Sequence, residues 1–183
     1  MIFGMPRAVF PALATDYFGL GAAGLGLLYS ATAAGALIAA LSSGWVGRVE
    51  RQGLAVIGAV LVWAVAITTV GISLWSLPLT LLLLALAGGA DVVSAIFRHT
   101  ILQEETPDHL RGRMTSVSLM VTTGGPRLGD VEAGLMAGLT SPAISVVLGG
   151  VACLVGTLSI ASFFPALPSY RRRTEPPERP GPV

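Results

Sequence analysis

The chain has 183 residues, of which 53% are hydrophobic and 11% are charged, and its formal net charge is +1. A water-soluble domain carries roughly 25% charged residues, so this composition excludes a soluble globular protein. All eleven basic residues are Arg, and they lie in short clusters between apolar runs. No basic face is available to follow phosphates, and we expect no nucleic-acid partner.

The apolar runs predict six membrane-spanning helices, since a helix needs about 20 apolar residues to cross a bilayer. We expect an all-α membrane protein whose six-helix bundle covers residues 1–166. The runs are continuously apolar, which favours helices over a membrane barrel. The first predicted span carries Pro6, Arg7 and Pro11 in a short apolar stretch, so we expect it to be truncated at its N-terminal end. The spans are predicted near 2–19, 22–44, 54–74, 77–97, 114–138 and 142–165.

The distribution of Arg predicts the orientation. The gaps after spans one, three and five hold no basic residue, whereas those after spans two and four and the C-terminal tail do. This bias places both termini in the cytoplasm, for a multi-pass protein of the inner cell membrane. Residues 167–183 are rich in proline and polar residues, so we expect a disordered cytoplasmic tail, with 171–173 anchoring the last helix at the anionic leaflet.

Most of the 23 glycines lie inside the predicted spans, as Gly35 and Gly88 do. In lipid, small residues let helix backbones approach closely, so each glycine is first interpreted as a packing position. Cys153 is the single cysteine and lies in an apolar run, where we expect a buried hydrophobic side chain. No disulfide, metal site or cofactor is expected.

Asp91 is the first of two intramembrane sites that the sequence indicates. It lies seven residues before Arg98, two turns along one helical face, about 10 Å inside the cytoplasmic end of span four. A charge at this depth faces a cavity or a partner, since exposing it to lipid is costly. One hypothesis is a proton site at Asp91; the alternative is a permanent ion pair with an Arg of a neighbouring helix.

The second site is the segment GGPRLGDVEAG at 124–134 of span five. Pro126 removes a backbone hydrogen bond, and glycines flank it, so we expect a hinge that exposes carbonyls to a lumen. Arg127 and Asp130 are candidates for the substrate or proton path; alternatively, they neutralise each other along the helix. The hinge glycines are Gly124, Gly125 and Gly129.

The gap after span four carries Pro107 and Asp108, a turn and helix-start signal, followed by Arg111 and Arg113. These two guanidiniums could bridge cytoplasmic helix ends or lipid phosphates, or could serve as topology signals only. Both His residues lie in this gap and none lies within a span, so no Ser-His pair exists at membrane depth. We therefore expect no enzyme and no catalytic residue.

Four stretches now indicate a family: MPRAVFPALA, LLYSATAAGALIAALSSGWVGRVERQG, DVVSAIFRHTILQEETPDHLRGRM and GGPRLGDVEAG. With them the whole chain resembles the C-terminal six helices of a major facilitator superfamily transporter, half of a twelve-helix fold. It looks most like the branch of bacterial siderophore (enterobactin) exporters. The third stretch is the most discriminating, because it combines Gln103, Pro107 and RGR at 111–113.

Two of these stretches also resemble motifs of the superfamily. Residues 44–53 resemble the glycine-and-arginine motif between the second and third helices of each half, which implies a cytoplasmic gate at Gly44, Arg48 and Arg51, joined by Arg98, Arg111 and Arg113. Its usual acidic residue is missing, since Gly47 and Arg48 stand in its place. The segment around Pro126 is similar to the antiporter motif of the first half's fifth helix.

The resemblance implies a proton-driven exporter of a siderophore or a drug-like small molecule, in which two halves rock around a midplane site. Arg7 and Arg127 would attract an anionic, catecholate-like substrate, and Asp91 or Asp130 would exchange protons. We expect this half to be inactive without the N-terminal half, which would lie in a longer product, on a separate chain, or be replaced by self-association. The alternative is a six-helix scaffold or assembly subunit without transport.

Overall fold

The computed structural model describes residues 7–163, without the side chains of Glu105, Asp108 and Arg111. The described elements are all helical, which confirms the predicted class. Helix α1, residues 7–17, joins a 3-10 turn (Arg7–Val9), an α turn (Phe10–Ala12) and a π turn (Leu13–Tyr17). The long helices are α2 (Gly21–Leu41), α3 (Gln52–Ile72), α4 (Leu77–Glu105), α5 (Arg111–Leu139) and α6 (Pro142–Phe163).

The breaks between helices follow from glycine and proline. Gly19 and Gly21 have φ angles of 62° and 52° between α1 and α2, a left-handed conformation that glycine adopts without a steric penalty. Pro78 lies in the first turn of α4, and Pro142 begins α6. At these positions the missing N–H of proline has no helical partner to lose. Two further 3-10 turns lie in connections: Ser43–Arg48 lies between α2 and α3, and Asp108–Leu110 lies between α4 and α5.

The helical elements of the described region form a closed ring. Helix α4 packs against α2 on one side and α3 on the other, and α3 packs against α6. Helix α5 contacts α6 and the Arg7–Val9 turn of α1, and the rest of α1 returns to α2. One cluster of buried apolar side chains fills the interior, with Phe10, Leu28, Trp63, Ile67, Leu84 and Val146 among its members.

Glycines hold the two main crossings of this ring at close range. Where α2 crosses α4, a Cβ added to Gly35 would overlap the backbone of Ala85, and one added to Gly88 would overlap that of Thr32. Where α3 crosses α6, a Cβ at Gly71 would lie 2.6 Å from Val147 Cγ2, and one at Gly150 would lie 2.8 Å from Thr68 N. These approaches maximise van der Waals contact between backbones, the main source of helix association in lipid.

Not every predicted packing glycine is used in this way. A Cβ at Gly26, Gly124 or Gly134 would meet no atom within 4 Å, so these three positions line open surface. An alanine at any of them would be accommodated without a shift of a neighbouring helix.

Four helices of the described region are long and apolar enough to cross a membrane: Gly21–Leu41, Gln52–Ile72, Leu77–Glu104 and Pro142–Phe163. Large apolar side chains such as Leu37, Val65 and Leu158 lie exposed on their surfaces, as expected of helices that face lipid. Helix α5 has 29 residues, enough to span, but it is not among the four. A sixth span at 2–19 and the limits of the bundle at 166 stay predictions.

Part of the predicted organisation lies outside the described residues. This applies to the start of the first span, to the tail at 167–183, and to the Arg run at 171–173.

Candidate functional site

Asp91 and Arg98 form an ion pair along α4, with Arg98 Nη2 and Asp91 Oδ1 3.9 Å apart. Arg98 Nε also donates to the carbonyl oxygen of Ser94 at 3.2 Å, which holds the guanidinium against its own helix. The side chains are 44% and 38% exposed for Asp91 and Arg98, respectively. The partner of Asp91 therefore comes from the same helix and not from a neighbouring one, and the carboxylate keeps an open side.

The three charged residues in the middle of α5 have different surroundings. Arg127 and Glu132 are exposed, whereas Asp130 is half-buried. Asp130 Oδ1 is buried without a hydrogen-bond donor, and no ion pair joins the described Arg127 and Asp130 within 4 Å. The predicted mutual neutralisation of these two residues is thus absent from this structure. A buried carboxylate oxygen without a donor is unfavourable, so a hydrogen-bond donor such as a substrate hydroxyl would stabilise it.

The remaining path residue, Arg7, lies on an element that packs on α5. The Arg7–Val9 turn contacts α5, and Arg7 lies exposed on it. Arg7, Arg127 and Asp130 therefore lie on two elements that are in contact. The sequence does not predict the contact between α1 and α5, since more than a hundred residues lie between Arg7 and Arg127.

A cavity of about 230 Å³ lies between α3, α5 and α6. Its wall includes Glu132, and otherwise mainly small and apolar residues. The Oγ of Ser145 donates a hydrogen bond to the carbonyl oxygen of Ala133 at 2.8 Å and so links α6 to α5 beside the cavity. Glu132 belongs to the segment at 124–134 that the sequence indicates, but the sequence gives it no role, and Ser145 lies in no motif.

Replacing Ser145 by Ala is expected to lower the free energy of unfolding by about 0.6 kcal/mol, the average for an interhelical hydrogen bond in a membrane protein. Titration of the purified chain with SDS measures this change. The control is Thr157→Val, because the Thr157 hydroxyl donates to the carbonyl oxygen of Cys153 within α6. Equal losses in the two variants would contradict a specific role for the α5–α6 link.

Most residues of the predicted cytoplasmic gate lie in or beside two connections at one end of the ring, since successive helices alternate in direction, whereas Arg98 lies within α4. Arg48 is exposed in the Ser43–Arg48 turn, Arg51 is exposed just before α3, and Arg113 is exposed in the first turn of α5. Arg111 begins α5, and its side chain is outside the described part. Gly44 is exposed, with space for a Cβ.

One aromatic contact joins the 42–51 connection to α4. The rings of Trp45, in the 42–51 connection, and Phe97, beside Arg98, lie with centroids 5.9 Å apart. Beyond Phe97, a cavity of about 420 Å³ opens between the end of α4 and the start of α5, with His99, Gln103, Thr115 and Ser118 in its wall. This end of the ring therefore carries polar side chains, and Trp45 packs the 42–51 connection against α4.

The predicted hinge lies within an uninterrupted helix. Helix α5 continues through Pro126, and a Cβ at Gly124 would meet open space. Gly125 is half-buried and Gly129 is buried. A bend at this segment stays a prediction.

Three comparisons relate this geometry to known proteins. The model of a family described as transmembrane secretion effectors matches residues 5–180. The enterobactin exporter EntS of Citrobacter koseri is 29% identical over 175 residues, which cover 95% of this chain and 41% of that protein. EntS of Escherichia coli O1:K1 is 32% identical over 150 residues, or 81% of this chain and 35% of that protein. The chain thus spans less than half the length of these curated relatives, and no solved structure matches it.

Proposed function

Since the chain belongs to the transmembrane secretion effector family of the major facilitator superfamily, we propose that it is the C-terminal six-helix half of a secondary-active exporter. The family and the related exporters indicate a membrane transporter rather than an enzyme. The proposed substrate is an anionic, catechol-bearing siderophore or a drug-like molecule of similar chemistry. A proton gradient would drive export across the inner membrane, with both termini of the chain in the cytoplasm.

The observation that carries this proposal is the polarity of α5 compared with the other long helices. The four other long helices qualify as membrane spans, but α5 carries Arg127, Asp130 and Glu132 near its middle. Exposing these charges to lipid would cost about 2.5–3.5 kcal/mol each on insertion scales. One face of α5 packs on α6 and α1, so its exposed face must meet a water-filled path or another protein surface.

The residues around this path have complementary roles in the proposal. Arg7 and Arg127 would attract the anionic substrate, since a guanidinium binds oxyanions through paired hydrogen bonds. Asp91 or Asp130 would exchange the coupling proton. The opposing wall would come from an N-terminal half, on the same or a separate chain, or from a second copy.

The two Arg-bearing connections would form the inner gate. Contact between Trp45 and Phe97 couples the 42–51 connection to the end of α4, so movement of one would displace the other. Arg48, Arg51, Arg98, Arg111 and Arg113 would then hold the closed state by contacts with the opposing half or with lipid phosphates.

Thiol labelling tests whether α5 lines a water-filled path. Cys153 is the single native cysteine, so Cys153→Ala gives a background free of thiols. Val131 is exposed one turn after Arg127. In membranes of the native host, Val131→Cys is expected to react with a charged maleimide at least about tenfold faster than the α6 control Val155→Cys, because thiolates form in water and not in lipid.

Substrate protection extends this test to the substrate class. A catecholate siderophore is expected to slow the labelling at position 131, and Arg127→Gln is expected to remove this protection. A scaffold without transport would instead show no protection. Labelling at position 131 as slow as at 155 would overturn the proposed path.

A further inference from the structure

A second feature of the ring lies on the side of α4 opposite Asp91. Helices α2, α3 and α4 enclose an open apolar groove of about 880 Å³, here called the α2–α4 groove. Glycines make it deep, and larger apolar side chains form its walls. Its lining includes Gly35, Gly58, Gly89, Ile38, Val62 and Leu86.

The groove has the length of one bilayer leaflet. Along α4 it extends from Leu82 to Val93, which at 1.5 Å per residue is about 16 Å. The hydrocarbon core of a bilayer is about 30 Å thick, so this length corresponds to half of it. The groove begins beside the 42–51 connection, where Ser42 and Trp45 line it, and ends near the middle of the bundle.

Basic side chains lie at the end of the groove that meets the membrane surface. Arg48 follows Trp45 by three residues, and Arg51 precedes the groove residue Ala55 by about one turn; both side chains are exposed. Glu50 is also exposed there, so the connection carries a net charge of +1. The groove is apolar and as long as one leaflet, which matches an acyl chain in shape. The basic side chains at its end match the charge of an anionic phospholipid headgroup.

We propose that the α2–α4 groove binds an acyl chain of an anionic phospholipid, with the lipid phosphate held by Arg48 and Arg51. The chain would lie against Gly58 and Gly89, and the glycerol region would contact Trp45. This site is separate from the proposed substrate path, because Asp91 lies on the opposite side of α4 from Gly89 and Val93.

Gly58 offers a direct way to fill the groove. A Cβ at Gly58 would meet no atom within 4 Å, so Gly58→Leu places a side chain in the groove without moving a helix. Gly156→Leu on α6 is the matched control, since its Cβ also meets open space and lies outside the groove. Native mass spectrometry of the purified chain counts phosphatidylglycerol molecules retained at each added lipid concentration.

Gly58→Leu is expected to raise the phosphatidylglycerol concentration needed for half-occupancy by about tenfold, and Gly156→Leu is expected to leave it unchanged. Retention of phosphatidylglycerol by Gly58→Leu at the wild-type concentration would overturn the proposal. A shift of Gly58→Leu from dimer to monomer with lipid occupancy unchanged would show a second copy in the groove, and would also overturn it.

The headgroup is tested by comparing phosphatidylglycerol with phosphatidylethanolamine of the same acyl chains. The wild-type chain is expected to prefer phosphatidylglycerol by about fivefold or more, and the double variant Arg48→Gln, Arg51→Gln is expected to lose this preference. The charge control is Arg127→Gln, which is expected to keep it, because Arg127 lies in the middle of α5 and outside the groove. Equal affinity of the wild-type chain for the two lipids would show that the acyl chain alone is recognised, and would contradict the headgroup assignment.

Discussion

Replacing Gly35 by Leu is expected to prevent the ring from assembling. A Cβ at this position would overlap the carbonyl group of Ala85, so α2 and α4 would have to separate at their crossing. Overpacking that moves backbone costs about 1–3 kcal/mol, and occasionally more, which is a large fraction of the stability of a domain. Gly88→Leu would act on the same crossing from the other side, since its Cβ would overlap the backbone of Thr32.

Size-exclusion chromatography of the detergent-extracted chain, followed by SDS titration, measures this effect. Gly35→Leu is expected to yield little monodisperse protein and to unfold at a lower SDS fraction. Gly26→Leu is the control on the same helix, because its Cβ would meet no atom within 4 Å. If Gly35→Leu and Gly26→Leu were equally stable, the α2–α4 crossing would not determine the stability of the bundle.

Hydropathy was sufficient to place the long helices, because each apolar run has the length that lipid requires. The runs predicted at 22–44, 54–74 and 142–165 coincide with α2, α3 and α6 to within a few residues. Helix α4 differs, since its predicted apolar run stops at 97 but the helix continues to Glu105. Hydropathy reports where the hydrocarbon ends, whereas a helix ends only where its backbone meets a breaker such as Pro107.

Contacts between helices could not be predicted from hydropathy in the same way. Composition marks glycines as packing residues, but it does not distinguish Gly35, which contacts Ala85, from Gly26, which faces open space. By contrast, the spacing of Asp91 and Arg98 was enough to predict that they share a face, because both residues lie on one helix. The approach of the Arg7 turn to α5 depends on the order of helices around the ring, which no local pattern records.

The second large effect is expected for Asp91→Asn. The 3.9 Å separation between Asp91 Oδ1 and Arg98 Nη2 is long compared with about 2.8 Å for a strong charged hydrogen bond. The carboxylate is therefore held loosely by Arg98 and remains partly exposed. Asn has a similar size but cannot ionise, so transport coupled through Asp91 would lose its dependence on pH.

The size of this effect follows from the energy of the gradient. One pH unit corresponds to about 1.4 kcal/mol, so coupling to a single proton supports about a tenfold substrate gradient. Asp91→Asn is expected to reduce this accumulation to the level reached without a pH gradient. Asp16→Asn is the matched control, because Asp16 is an exposed carboxylate at the end of α1.

Uptake of a catecholate siderophore into inside-out membrane vesicles with an acidic lumen tests proton-coupled export most directly. The vesicles are prepared from the native host, so that any partner half is present. In the wild type and in Asp16→Asn, we expect accumulation to rise about tenfold per pH unit. In Asp91→Asn, we expect no rise above the level reached without a pH gradient. Accumulation that ignores the pH gradient in the wild type would contradict a proton-coupled path through this half. Accumulation that is unchanged in Asp91→Asn would exclude Asp91 as the proton site.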